Sequence, residues 1–324
     1  MPHNAEKKPS RVAWFLKLAA GVLIFWLAFR DVDLTQVGSA FAQADPFWLS
    51  AAVASVFLTV AAVTARWRVL LGASAESRHT VVLLSAVIAS QVSNIVMPFR
   101  LGDAVRIGAV SRALSVPPAE VLGSVAVERL LDGLLLALTA GLLVASGLLP
   151  PFARDGMLTL ALTVSVALTA VILGVRIWPG NTRGWISVQI DHLVRGLERA
   201  ANPRTATLTF LWSCGVTLGS VLTAWLVLRA FALDAPAVSA VVIVIAVQVG
   251  SVVVPIPGAV GISQVLTVQT LKLWDVPEAP ALAYALMLFL VARVPKIFVL
   301  PFALSVLDMK PGLKSRSPRA APHE

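Results

Sequence analysis

Long apolar runs separated by short polar connections dominate the chain, and the two-residue alternation of half-buried strands is absent. Eight runs stand out, at approximately 12–29, 47–71, 80–97, 118–148, 155–178, 205–233, 236–255 and 279–307. Several approach or exceed the ~20 residues with which a helix crosses a bilayer. A transmembrane barrel would show short alternating segments instead, and these runs are continuous. The pattern therefore predicts an all-α polytopic membrane protein. The run at 118–148 would make a helix about 46 Å long, more than a bilayer core needs, so it is expected to tilt or protrude.

Charge placement shapes the expected topology. If all eight runs crossed fully, Arg183, Arg195, Arg199 and Arg204 would face one side, with Lys7, Lys8 and the basic tail on the other, against the positive-inside rule. If 80–97 and 236–255 instead enter, turn at their prolines and return, the cationic connections and both termini share the cytoplasmic side. Asp31, Asp33, Asp45 and Asp234 then lie outside. Six full spans plus two re-entrant helical hairpins fit the charges better. The same arrangement exposes a repeat. Gln91–Pro98 (QVSNIVMP) matches Gln248–Pro255 (QVGSVVVP), Val116-Pro117 recurs at Val276-Pro277, Trp67 answers Trp225, and Arg129 answers Arg293 with one extra turn. The halves, about 47–148 and 205–307, are expected to be inverted repeats, an architecture that places a transporter's site at the repeat interface.

Composition agrees with the pattern: 58% of residues are hydrophobic and 13% charged, against about 25% charged in soluble domains. The net charge of +9 sits at run ends and in the tail, which orients a membrane protein, and nucleic acid is not an expected partner. The single Cys214 excludes an intrachain disulfide and most cysteine metal sites. The basic segment 1–11 precedes a run expected to be a retained first span. Within the loop 179–204, residues 185–199 alternate apolar and charged positions at helical spacing, as an interfacial amphipathic helix does. The segment 308–324 is basic and proline-rich, the composition of a disordered cytoplasmic tail.

Candidate chemistry lies where charges interrupt hydrocarbon, because such charges are expensive and need a purpose. In the first half, Pro98 and Gly102 break the helix and permit close backbone approach. Asn94, Arg100, Asp103 and Arg106 surround that break, and Arg suits phosphate oxygens bidentately. Glu128, Arg129 and Asp132 share one arc of their helix, with Arg129 placed to pair with Asp132. In the second half, Pro255, Pro257, Gly258 and Gly261 forbid an uninterrupted helix, and a helix starting after Gly258 would aim free N–H groups inward. Gln264 follows this break, and Arg293 and Lys296 flank Pro295 in the last run. These groups form either a structural ion-pair network or a headgroup-binding site, and the sequence leaves both open. Arg100, Arg106, Arg129, Arg293 and Lys296 against Asp103, Glu128 and Asp132 give five positive and three negative charges, a surplus of two that suits an anionic ligand. No metal-ligand spacing, cofactor motif or nucleotide-binding loop appears.

The pattern Asn94, Pro98, Arg100, Gly102, Asp103, Arg106, then Glu128-Arg129 with Asp132, then Pro255-Ile-Pro-Gly258 with Gly261 and Arg293, resembles the lysylphosphatidylglycerol synthase transmembrane-region family of flippase-like proteins. The likeness runs from about 12 to 307. Asp103 stands where that family usually has Glu, and Ala259 where it often has a second glycine. Bifunctional members append an aminoacyl-transferase domain, for which this chain leaves no room after its last run. The resemblance implies movement of an anionic or polyisoprenoid-linked lipid between leaflets of the cytoplasmic membrane, with lipid-biosynthesis enzymes as partners. An intramembrane lipid-modifying transferase or hydrolase, with Glu128 and Asp132 as acid and base, is the alternative. A non-transporting subunit of a lipid-modifying complex is the third.

Overall fold

A computed structural model describes residues 32–72, 79–97, 101–148, 151–177, 202–253 and 256–308, with scattered positions between 19 and 30. The run at 12–29 falls largely outside the described residues. Pro98, Arg100, Pro255, the amphipathic stretch 185–199 and the tail from 309 onward fall wholly outside them. Everything regular among the described residues is helical. In chain order the helices are α1 (Leu34–Gln43), α2 (Pro46–Leu71), α3 (Thr80–Val96), α4 (Gly102–Leu114), α5 (Pro118–Ser146) and α6 (Pro151–Ile177). They continue with α7 (Pro203–Ala230), α8 (Ala237–Val253), a 3₁₀ turn at Pro257–Ala259, α9 (Ile262–Lys272) and α10 (Glu278–Asp308). The seven expected runs from 47 onward reappear within a few residues as α2, α3, α5, α6, α7, α8 and α10. Helices α1, α4 and α9 are additions that hydropathy alone does not mark.

Local chemistry starts and stops these helices. Asp33 and Asp45 cap α1 and α2 by accepting the backbone N–H of Thr35 and Phe47, each at 2.8 Å. Pro46, Pro118 and Pro203 stand in the first turns, where no partner is lost by their missing N–H. The α2 and α5 helices end on Gly72 (φ 61°) and Gly147 (φ 68°), both at a positive φ that glycine tolerates, and Gly147 has the left-handed geometry of a C-terminal cap.

Helices α2 and α7 form the central pair. Their contact is close because Gly219 faces Thr59, and because Ser55 donates to the Gly219 carbonyl at 3.0 Å and accepts from Thr223 at 3.1 Å. The start of α2 is tied to the end of α7 by Asp45 N–H donating to the Ala230 carbonyl at 2.9 Å. Around this pair, α3 packs on α4 and α10, α8 on α9, and α5 on α6. Each of the pairs α3–α4 and α8–α9 is consecutive in the chain and packed together, as the two arms of a helical hairpin are. Helix α4, the charged stretch that follows the apolar run of α3, packs against α3. Arg106 of α4 is buried.

Among the described residues α2, α7 and α10 are long and apolar enough to cross a membrane. Large apolar side chains such as Leu58, Leu142, Leu218 and Phe298 lie on the outside, while Arg66, Arg106 and Glu128 are buried. That distribution suits hydrocarbon surroundings, where charge turns inward. The protein is a multi-pass membrane protein.

Candidate functional site

The two breaks meet. At the first, Gly102 N–H donates to Asn94 Oδ1 at 2.8 Å, and a Cβ on Gly102 would run into the Ser90 carbonyl and the Asn94 side chain. Only glycine lets α4 begin this close to α3. At the second, Gly258 (φ 61°), Ala259 (φ 54°) and Gly261 (φ 83°) all take positive φ, and Gly258 lies against the Ile95 backbone of α3. Ala259 takes a left-handed backbone that carries strain a glycine would not.

One group of charges lies on α2, α4 and α5. Arg66 of α2 bridges Glu128 at 2.8 Å and Asp132 at 2.6 Å. Arg106 of α4 reaches Glu128 at 3.1 Å and Asp103 at 3.4 Å, with its guanidinium 4.8 Å from the Trp67 ring centroid. Arg129 pairs with Asp132 at 3.0 Å, as its spacing predicts, and with Asp103 at 3.3 Å. Trp67 is itself fixed by donating from Nε1 to Ser124 Oγ at 2.9 Å. Three positive charges (Arg66, Arg106, Arg129) thus meet three negative ones (Asp103, Glu128, Asp132), and the network sums to zero. Arg66 is 1% exposed, and sequence reasoning missed it. Its one signal was an arginine inside an apolar run, but Arg68 and the run's end lie close by, so it passes for a snorkelling interfacial residue.

The second group lies on α10 and stands apart from that network. Arg293 donates to the Gly258 carbonyl at 2.8 Å, with its guanidinium carbon 3.8 Å from the Phe289 ring centroid. Lys296 donates to Gln91 Oε1 at 2.8 Å. Neither is paired with a carboxylate among the described residues. Both border two adjoining cavities. One, of about 330 Å³, lies at the breaks and includes Asn94, Ser251 and Gly258 in its wall. The other, of about 240 Å³, lies between α2, α7, α8 and α10 and is mostly apolar. They share Gln91, Ala292, Arg293 and Lys296. A third cavity of about 200 Å³ is bordered by Arg129 and Asp132 and shares Val244 and Gln248 with the second.

The structure therefore divides the expected site residues. Asn94, Arg293 and Lys296 come together at the breaks, and Arg129 and Asp132 open on the third cavity. Asp103, Arg106 and Glu128 are tied into the neutral network. Gln264 instead serves the backbone. Buried, it accepts from Gly261 N–H at 2.9 Å and from Ser263 Oγ at 3.0 Å, capping α9. Of the N–H groups expected to point inward after Gly258, that of Gly261 is thereby satisfied internally. The charges that make up the expected surplus change once Arg66 is included. Arg66 balances the network, Arg100 lies outside the described residues, and Arg293 with Lys296 supplies the excess.

Over 86% of its length the chain is 29% identical to the Haloferax volcanii protein named Glycosyltransferase AglD, and the match covers 52% of that protein. The chain thus spans about half the length of this relative. The pattern of the family described as the lysylphosphatidylglycerol synthase TM region matches residues 14–299, which takes in both breaks, the ion network and the cationic pair. With that match over most of its length, the chain belongs to the lysylphosphatidylglycerol synthase TM region family.

Proposed function

We propose that the protein moves an amphiphile with an anionic or polyisoprenoid-linked headgroup between the leaflets of the cytoplasmic membrane, with both termini on the cytoplasmic side. One observation carries the reading. Arg293 and Lys296 border cavities deep in a membrane-spanning helix pack, with no carboxylate partner among the described residues. Uncompensated charge in such a place is costly unless a ligand neutralises it for part of the time. The headgroup enters at the breaks and is carried past Gln248 while the tail stays in lipid. No bond is made or broken in this reading.

Inverted repeats supply the motion, by rocking one half against the other. Correspondence of α2–α5 with α7–α10 is supported by the packing partners. Helix α2 lies on its own counterpart α7, as a twofold axis requires. The extensive packing of α3 on α10 has a weaker counterpart between α5 and α8, which share one apolar cluster of Ala140, Leu143, Val242 and Ile245. The helix ends before Val116-Pro117 and Val276-Pro277 also agree. Ser115 and Asp275 take φ 55° and 56°, and Val116 and Val276 donate five residues back, to Ser111 and Leu271.

The test is translocation of a fluorescent anionic lipid in proteoliposomes, read by quenching of the outer leaflet. Arg293→Gln with Lys296→Gln is expected to slow it about tenfold or more, by loss of charge-assisted hydrogen bonds. Lys272→Gln, at the exposed Lys272–Glu278 pair, is expected to leave it unchanged. Wild-type rates in the double variant end the reading. A second reading, in which the chain serves glycosyl transfer as a membrane partner or as an enzyme, is favoured by the name of the relative. Turnover of a radiolabelled glycolipid by the purified protein would favour it over transport.

A further inference from the structure

Resting on the transport reading, we infer that the headgroup held at the breaks is a phosphoryl dianion, a phosphomonoester or diphosphate, that carries no ammonium group. Which ends of the lining side chains remain available decides this. Gln91 and Asn94 are amides, each able to donate and accept. Gln91 Oε1 is engaged by Lys296 at 2.8 Å, and Asn94 Oδ1 by Gly102 N–H at 2.8 Å. Each amide, lining the cavity with its oxygen engaged, therefore has its NH₂ end left to donate. Lys296 has further N–H donors beyond the one given to Gln91, and Arg293 has donors beyond those on the Gly258 and Phe289 carbonyls. Four side chains thus offer N–H groups, and two of them carry positive charge.

The complementary ligand is rich in acceptors and doubly negative. A phosphoryl group on a single ester linkage has three terminal oxygens and about −1.5 to −2 charge at pH 7. An ammonium-bearing headgroup, whether choline-, ethanolamine- or lysyl-substituted, would need an acidic partner. Among the described residues no Asp or Glu lines either cavity that holds Arg293 and Lys296. The interior carboxylates Asp103, Glu128 and Asp132 are already occupied by Arg66, Arg106 and Arg129. A cationic group here would meet only like charge. The adjoining apolar cavity, walled by Val56, Val60, Val247 and Leu288, gives the first part of a hydrocarbon tail its place.

The experiment uses the full chain in neutral maltoside micelles, titrated with dodecyl phosphate and with dodecylphosphocholine, which share a tail and differ in the ammonium. Dodecyl phosphate is expected to bind at least about tenfold tighter. Lys296→Gln and Arg293→Gln are expected to erase the preference, and Lys296→Arg to keep it. Equal affinities, a reversed order, no binding of dodecyl phosphate, or a preference that survives in both neutral variants overturns the inference. If a neutral variant fails to fold, the wild-type ranking and Lys296→Arg decide alone. The two readings fail separately. A preference for phosphate without translocation in proteoliposomes sinks transport and leaves the site standing. Translocation with no headgroup preference sinks the site's chemistry and leaves transport.

Discussion

At the residue scale the ion network is the most exacting feature. Arg66 and Glu128 are both about 2% exposed at the side chain, and removing one partner leaves the other buried and unpaired. Arg66→Met is therefore expected to destabilise the protein by about 3–5 kcal/mol, measured as thermal or denaturant unfolding in detergent. In a double-mutant cycle with Glu128→Gln the two losses should overlap, with a coupling of about 0.5–3 kcal/mol. Strict additivity would mean that the pair is not coupled. Gly102→Ala is a second residue-scale case, since its Cβ would meet the Ser90 carbonyl and Asn94. A loss of about 1–3 kcal/mol is expected from the forced separation of α3 and α4. Unaltered stability would show that the hairpin has slack. Neither outcome bears on whether Arg66 touches a ligand, because it lines none of the described cavities.

Helices and their ends carry predictions of their own. Asp33 accepts from the Thr35 hydroxyl at 2.6 Å and from the Thr35 backbone N–H at 2.8 Å, which holds its carboxyl below the ordinary value of 3.8. A lowered folded value stabilises α1 above the ordinary value, and the contribution is lost as pH falls through the folded one. Amide exchange across α1, corrected for intrinsic rates, should therefore speed up in acid. Asp33→Asn, which still caps but does not titrate, should abolish that dependence. At the second break, Ala259→Gly removes left-handed strain of roughly 1–2 kcal/mol while loosening the unfolded chain by about 0.4–1 kcal/mol. A net gain of about 0.5–1 kcal/mol in unfolding free energy is expected. A loss would mean that the alanine methyl, which is buried, packs well enough to outweigh the strain.

For the whole molecule, the central contact between α2 and α7 is where two rocking halves would move. Ser55 and Thr223 lie hydroxyl to hydroxyl at 3.1 Å across it. A Ser55→Cys/Thr223→Cys pair, in a Cys214→Ala background, should bridge on oxidation and stop translocation, with recovery on reduction. Full transport through the bridged protein would mean that α2 and α7 travel as one body.

Much of this was legible in the chain itself. Continuous apolar runs determined an all-helical membrane protein, because only helices satisfy their own backbone along such runs. Charged and amide side chains inside or beside those runs pointed to Asn94, Arg129, Asp132, Arg293 and Lys296, since each is too expensive to face lipid. Proline and glycine located both breaks, because no uninterrupted helix accommodates them. Periodicity could not separate charges that neutralise each other from charges that await a ligand. Both kinds use the same residue types at the same depth, and the difference lies in partners far along the chain. Only the tertiary structure decided that Arg66, remote in sequence from Glu128 and Asp132, balances the network, that Gln264 caps α9, and that Arg293 and Lys296 keep their charge open to a cavity where the two breaks meet.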